Sequence, residues 1–245
     1  MELTDRMQQS QKIEIAKRLS EAVTLQEQIN PHFLYNALDC IRGQALREGC
    51  TDIAEMTLSL SKYFRYSVSH KGDVVTLEDE LRNVQDYFCI QQFRFGNRHS
   101  LQIHNETGGD DVLDIHLPKM TLQPIVENAI MHGIESKIDG GQITIRITMT
   151  QRDVIIKCSD TGVGMAPLKL EQLNHQLRHA ALYIPDINTD RQRNGGIAMQ
   201  NVNRRLRLYF GEEYGIEVYS IEGMGTDVEV RIPLMMVDEA HERKA

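Results

Sequence analysis

Residues Gln28 to Asn36 read QINPHFLYN, a histidine with a proline directly in front of it inside a run that otherwise forms helix well. From Leu3 to about Arg47 no glycine appears before Gly43. A proline within a helix removes one backbone hydrogen bond and costs roughly 3 kcal/mol. Pro31 would free the carbonyl of Glu27 at the turn that carries His32, and such a cost needs a reason. At about 100° per residue, Phe33, Leu34, Ala37, Leu38, Ile41 and Ala45 fall into one stripe, with His32 roughly opposite its centre. His32 is therefore expected to face solvent while the stripe packs in a helical bundle. Asn36 follows one turn later on nearly the same face.

Outward from this stretch, the first helix reaches Glu48-Gly49, where glycine suits a C-cap. At 1.5 Å per residue it would be about 66 Å long, a length normally stabilised by a partner helix. A second helix begins near Thr51-Asp52, with Ile53, Met56, Leu60, Tyr63, Phe64 and Val68 at helical spacing. One hairpin leaves its apolar stripe half covered, so pairing into a four-helix bundle as a homodimer is the expected completion. His70 to Asp73 reads as a linker, which puts the helical domain at 1–73.

The second domain, 74–237, opens on a capping box: Thr76 as N-cap and Asp79 or Glu80 near N3, starting a helix to about Phe95. Leu101 to Glu106 alternates as a short strand, and Leu117 to Gly133 reads as a helix containing Pro124. Gly141 to Thr150 sets Ile143, Ile145, Ile147 and Met149 on one face. Val154, Ile156 and Cys158 repeat the pattern, and Asp160 falls on the same inward side. A buried carboxylate is expensive without a dedicated partner, so Asp160 is either a cap for the following turn or a hook for a ligand. Residues 166–194 read as a long polar loop of the kind used as lid or binding loop. A helix from Gly196 to Tyr209 and strands Ile216 to Ile221 and Asp227 to Pro233 complete the domain, and 238–245 is a tail. The pattern is α+β: a helical hairpin followed by an α/β two-layer sandwich.

Composition excludes some classes of function. The 245 residues are 41% hydrophobic and 25% charged, with no tryptophan, as in ordinary globular proteins. A net charge of −8 gives no basic footprint, so no nucleic-acid partner is expected. Cys40, Cys50, Cys89 and Cys158 form no CxxC pair and read as free thiols in a reducing cytosol. No apolar run approaches the ~18 to 20 residues needed to span a bilayer. A start in mid-helix favours the soluble part of something anchored through a segment outside this chain.

Four segments of the second domain carry chemistry. Gln123 to Gly133 reads QPIVENAIMHG, with Asn128 and His132 on one helical face. Asp160 to Met165 reads DTGVGM, where Gly162 and Gly164 permit close backbone approach. Asn194 to Val202 reads NGGIAMQNV, glycines leading into a helix N-terminus, which favours phosphate. Glu222 to Thr226 reads EGMGT between two strands. Singly each is a turn or a helix entry; their joint occurrence in this order is not so easily explained.

The order resembles the H, N, G1, G2 and G3 boxes of sensor histidine kinases. QINPHFLYN followed by LPKMTLQPIVENAIMHG, with RYSV at 65–68 and TLEDEL and IQQFRFGNR within 76–98, resembles the LytS-like branch. The resemblance implies a dimerisation and phosphoacceptor hairpin followed by a Bergerat-type ATP-binding domain. It implies ATP-dependent phosphorylation of His32, then transfer to an aspartate of a response-regulator receiver domain. By position, Asn128 would coordinate Mg²⁺, Asp160 would accept from the adenine amino group, and Gly162 and Gly164 would lie against the base. His132 matches a position that often contacts adenine, the backbone at Gly196 and Ala198 would meet the phosphates, and Thr226 would support Asp160.

Departures from the family pattern set further expectations. Phe33 stands where many of these kinases have a carboxylate after the histidine, leaving Glu27 and Asn36 as polar candidates to hold the imidazole. Asn36 also resembles the amide that positions water in kinases with phosphatase activity toward their partner. Pro124 replaces the general-base glutamate of gyrase-type ATPases, which argues against a plain ATPase. Glu127, beside Asn128 but about 100° away on an ideal helix, is carried as a catalytic candidate with His32 and Asn36. Ala198 replaces an expected glycine, and it is the main support for the alternative, a catalytically silent nucleotide-binding dimeric scaffold.

Overall fold

A computed structural model describes residues 31–68, 73–96, 98–137, 139–179 and 195–234. The chain forms two compact units that divide after Val68. The expected helix before residue 31, Glu27 and most of the linker lie outside the described residues.

The first unit is a helical hairpin of α1 (Pro31–Arg47) and α2 (Thr51–Val68). The turn closes through Gly49, whose φ of 72° suits glycine, and through the Cys50 N–H donating to the Ala45 carbonyl at 2.8 Å. The seam is built from small side chains on α2, with Ala54, Thr57 and Ser61 buried opposite Leu38 and Ala45. The larger stripe of Ile53, Met56, Leu60, Tyr63 and Phe64 lies beside that seam, about 90° round the helix. Ile41 and Ile53 remain 51% and 38% exposed within the single hairpin. No described helix is long and apolar enough to cross a membrane.

The second unit begins with β1 (Val74–Thr76), which pairs antiparallel with β3 (His116–Pro118). Between them lie α3 (Leu77–Phe95), β2 (His99–Asn105) and a 3₁₀ turn at Asp111–Asp114. Thr76 caps α3, and Asp79, rather than Glu80, completes the capping box. Next comes α4 (Gln123–Asn128), which runs on into a π-helical turn over Ala129–Ile134. Strands β4 (Gly141–Met149) and β5 (Asp153–Asp160), helices α5 (Pro167–His179) and α6 (Gly195–Phe210), and strands β6 (Gly215–Ile221) and β7 (Gly225–Pro233) follow.

Five strands form one mixed sheet in the order β2-β4-β5-β7-β6, with β2 parallel to β4 and the other pairs antiparallel. Register aligns the inward rows: Ile145 opposite Cys158 opposite Val228 opposite Val218, and Ile147 opposite Ile156 opposite Val230 opposite Ile216. These side chains are buried, together with Leu122, Ile125, Ile130 and Ile134 of the helical layer. Lys157, Asp227 and Glu229 pair on the opposite face. This is the two-layer sandwich that the strand pattern implies.

Three sequence expectations are corrected. Leu117 belongs to β3, where it pairs with Val75, so the helix begins at Gln123 and Pro124 sits in its first turn, where a missing N–H costs little. Residues 167–179, read as loop, form α5, with Leu173 and Leu177 buried; the remainder of that stretch up to 194 lies outside the described residues. Met149, read on the same inward face as Ile147, is 45% exposed at the end of β4.

Candidate functional site

Asp160 ends β5 on the inward side and is nearly buried. Its Oδ1 accepts the Gly162 N–H at 2.8 Å, and the backbone of Thr226, its register partner on β7, also hydrogen-bonds it. Burial nevertheless dominates and pushes the carboxyl up to about 6. The residue does cap its turn, and it remains a costly carboxylate held with its hydrogen-bonding edge at the end of a strand.

Glycines explain how the backbone fits around it. A Cβ on Gly162 would lie 2.3 Å from the carbonyl carbon of Gly133 and 2.5 Å from Oδ1 of Asp160. A Cβ on Gly164 would meet the Ile221 carbonyl oxygen at 2.0 Å, at a φ of 66°. The Val163 N–H donates to the Gly133 carbonyl at 3.0 Å, and the Gly223 N–H to the Val163 carbonyl at 2.7 Å. Ser220 completes the junction: its Oγ accepts the Met165 N–H at 2.9 Å and donates to the Gly225 carbonyl at 2.8 Å. The end of the π-helical turn, the DTGVGM loop and the EGMGT hairpin therefore converge on Asp160. Gly133 and Ser220 were not singled out from the sequence. Gly133 ends the quoted QPIVENAIMHG segment, but its role is a contact made across the fold.

On α4, Asn128 is half-buried and donates from Nδ2 to the Pro124 carbonyl at 2.7 Å. That bond fixes the amide's orientation, and its oxygen is the end chemically suited to a hard cation. Glu127 is half-buried beside it, and His132 is exposed on the π-helical turn. Lys137 reaches back to the Thr161 carbonyl at 2.6 Å.

Gly196 and Ala198 lie in the first turn of α6. A Cβ at Gly196 would meet nothing nearer than Leu173 at 3.8 Å, so packing among the described residues does not require glycine there. Helix α6 is anchored by Asn203, which donates to the Leu177 carbonyl at 2.7 Å and accepts the Ile216 N–H at 2.7 Å. Asn174 of α5 bonds both the N–H and carbonyl of Val218 at the sheet edge.

On the hairpin, His32 is exposed, and the Asn36 side-chain amide lies 3.3 Å from its Nδ1. Asn36 is thus a polar group that meets the imidazole.

Residues 20–99 match the family model of histidine kinases, and residues 114–236 match that of histidine kinase-, DNA gyrase B- and HSP90-like ATPases. Sensor histidine kinase YesM of Bacillus subtilis is 32% identical over 94% of this chain and 36% of its own length. Sensor histidine kinase BtsS of Escherichia coli is 33% identical over 87% of this chain and 33% of its own. Sensor protein LytS of Oceanobacillus iheyensis is 34% identical over 89% and 35% respectively. The chain spans about a third of the length of these curated relatives.

Proposed function

The chain belongs to the histidine kinase family, and we propose that it is the kinase core of a two-component sensor, using ATP to phosphorylate His32 and passing the phosphoryl group to an aspartate of a response regulator. The observation that carries this reading is Asp160, a carboxylate whose burial is costly and whose edge suits the amino group of an adenine. Gly162 and Gly164 give the base a flat backbone wall, Thr226 supports Asp160 from β7, and His132 stands at the exposed rim.

Asn128 would ligate Mg²⁺ through its amide oxygen, with Glu127 adjacent. Bound with the nucleotide, Mg²⁺ supplies charge neutralisation at the phosphate oxygens. The start of α6, with the backbone at Gly196 and Ala198 in its first turn, would meet the phosphates. The Asn36 amide nitrogen lies against Nδ1; with the amide turned so that its oxygen accepts from Nδ1–H, the Nε2 lone pair of His32 would be free to attack the γ-phosphorus in line. A P–N bond forms as the bond to ADP breaks. In the second transfer the P–N bond breaks and a receiver carboxylate takes the phosphoryl group. Asn36 would also hold a water for dephosphorylation of the partner. The hairpin's uncovered stripe supports a homodimer, and the likeness to sensor proteins supports a cytoplasmic position in a membrane-anchored whole.

The test is incubation of wild type and His32→Ala with Mg²⁺ and γ-labelled ATP, followed by acid and alkali treatment. Acid-labile, alkali-stable label on wild type alone is expected. Label persisting on His32→Ala overturns the assignment of His32, and nucleotide binding without label on wild type supports the silent scaffold instead.

A further inference from the structure

The turn that launches α4 is gripped by α3, and we propose that Glu80 is a positioning residue that sets the bearing of Asn128 toward the Mg²⁺ and nucleotide. This rests on the reading of Asn128 as the metal-binding amide.

Glu80 is fully buried, in the first turn of α3. Its Oε1 accepts the Met120 N–H at 2.5 Å, and its Oε2 accepts those of Thr121 at 2.8 Å and Leu122 at 2.7 Å. A carboxylate in the interior is sustained only by such bonds. These three donors are the backbone entry to α4. Its N-cap is Leu122, which offers no side-chain cap, and Pro124 has no N–H to give. Glu80 therefore does from another helix what a capping residue does locally.

The gripped turn is strained. Met120 is the one non-glycine with positive φ among the described residues, at 61°, a conformation that is unfavourable for a residue with a side chain. Such strain persists only where the surroundings over-determine it. Here Glu80 takes the Met120 N–H, Arg205 of α6 donates to its carbonyl at 2.7 Å, and Asn83 of α3 donates to the Gln123 side chain at 2.8 Å.

The grip reaches Asn128 through a short path. The Pro124 carbonyl, in the turn that Glu80 caps, accepts from Asn128 Nδ2. Moving that turn moves the carbonyl and rotates the amide whose oxygen would hold the metal. Asp160 stands on β5, and the one junction residue on this helical run, Gly133, lies beyond Asn128 at its far end and is tied to the DTGVGM loop by its own bond from the Val163 N–H. Loss of Glu80 should thus weaken the metal's contribution and spare base recognition.

The test uses the full chain as wild type, Glu80→Gln, Glu80→Asp, Asn128→Ala and Glu80→Gln with Asn128→Ala. Isothermal titration gives ADP affinity in EDTA and the Mg²⁺ concentration for half-maximal enhancement of ADP binding; thermal melting reports folding. Glu80→Gln keeps the volume but turns an amide N–H₂ against backbone donors. It should leave the Mg²⁺-free ADP affinity within about twofold and raise the Mg²⁺ requirement about fivefold or more, with Glu80→Asp between it and wild type. The double variant should be no worse than Asn128→Ala. An unchanged Mg²⁺ requirement, or equal weakening with and without Mg²⁺, overturns the proposal. If Glu80→Gln does not fold, Glu80→Asp decides by the same two readings. A Mg²⁺ effect in Asn128→Ala without one in the Glu80 variants overturns the role of Glu80 alone. No Mg²⁺ effect in Asn128→Ala overturns the premise, and the proposal with it.

Discussion

A methyl group on Gly133 would stand 2.7 Å from Oδ1 of Asp160, so the π-helical turn and the end of β5 touch through a residue that has no side chain. Gly133→Ala should force either the turn or the carboxylate to move. Overpacking of this kind costs about 1–3 kcal/mol, a fall in melting temperature of roughly 3–10 °C for a domain of this size. Since the group displaced is the proposed adenine acceptor, nucleotide affinity should drop at least about tenfold. Calorimetric melting with ADP titration checks both, and a variant that melts and binds like wild type contradicts the tight junction.

Asp160 should give the domain an unusual pH response. Its carboxyl is raised by burial from an ordinary 3.8 to about 6, so the folded state holds its proton more tightly than the unfolded chain. The penalty is absent below about pH 4, grows as pH rises, and is complete above about 6, where it amounts to about 3 kcal/mol. Nucleotide-free protein should therefore gain about 1 kcal/mol from this group between pH 7.5 and 5, relative to Asp160→Asn. Adenine recognition needs the ionised form and should weaken over the same interval. Melting and ADP binding across pH 4.5–8 would show the two trends opposed in wild type and both flattened in Asp160→Asn. Parallel trends in the two proteins would locate the titration elsewhere.

The amide of Asn36 beside His32 predicts a kinetic effect without a folding effect. Both side chains are exposed, so Asn36→Ala should change stability by less than about 0.5 kcal/mol. Losing one hydrogen bond that holds the ring is worth about 0.5–1.5 kcal/mol, or a roughly threefold to tenfold slower initial rate of His32 labelling at unchanged apparent ATP affinity. Asn36→Asp, whose carboxylate can accept from Nδ1–H and leave Nε2 unprotonated, should recover most of that rate. Equal rates in all three proteins would remove Asn36 from the transfer step.

Legibility of the sequence followed the range of the interactions. Hairpin, capping box and the alternating strands rest on neighbours in the chain, and Thr76, Ile143, Ile145, Ile147 and Asp160 lie where periodicity puts them. Helix α5 was hidden because Leu170, Leu173 and Leu177 are diluted by lysine, glutamine and histidine, and its attachment comes from Asn174 reaching the sheet edge. The three-residue ladder of β1 with β3 is too short to show a period. Parallel pairing of β2 with β4 is a matter of topology. Glu80 looked like a second helix-start carboxylate, because nothing local says that its partners are 40 to 42 residues away. Gly133 gave only a glycine at the end of a helix pattern; its reason lies on β5.

The division of labour on the hairpin leads to the last prediction. Ala54, Thr57 and Ser61 bring α1 and α2 close together, so the large apolar side chains are left beside the seam rather than in it. Ile41 is half exposed although it lies between Ala37 and Ala45 on the apolar side of α1. Burying such a side chain against a second hairpin is worth about 1–2 kcal/mol per protomer, and a lysine there would have to desolvate its charge instead. Ile41→Lys should therefore leave the helical content and melting of the second unit unchanged while shifting the chain from dimer to monomer at micromolar concentration. Light scattering coupled to size exclusion measures this directly. A wild type that is already monomeric would remove the stripe's proposed role, and a lysine variant that stays dimeric would place the interface on another face.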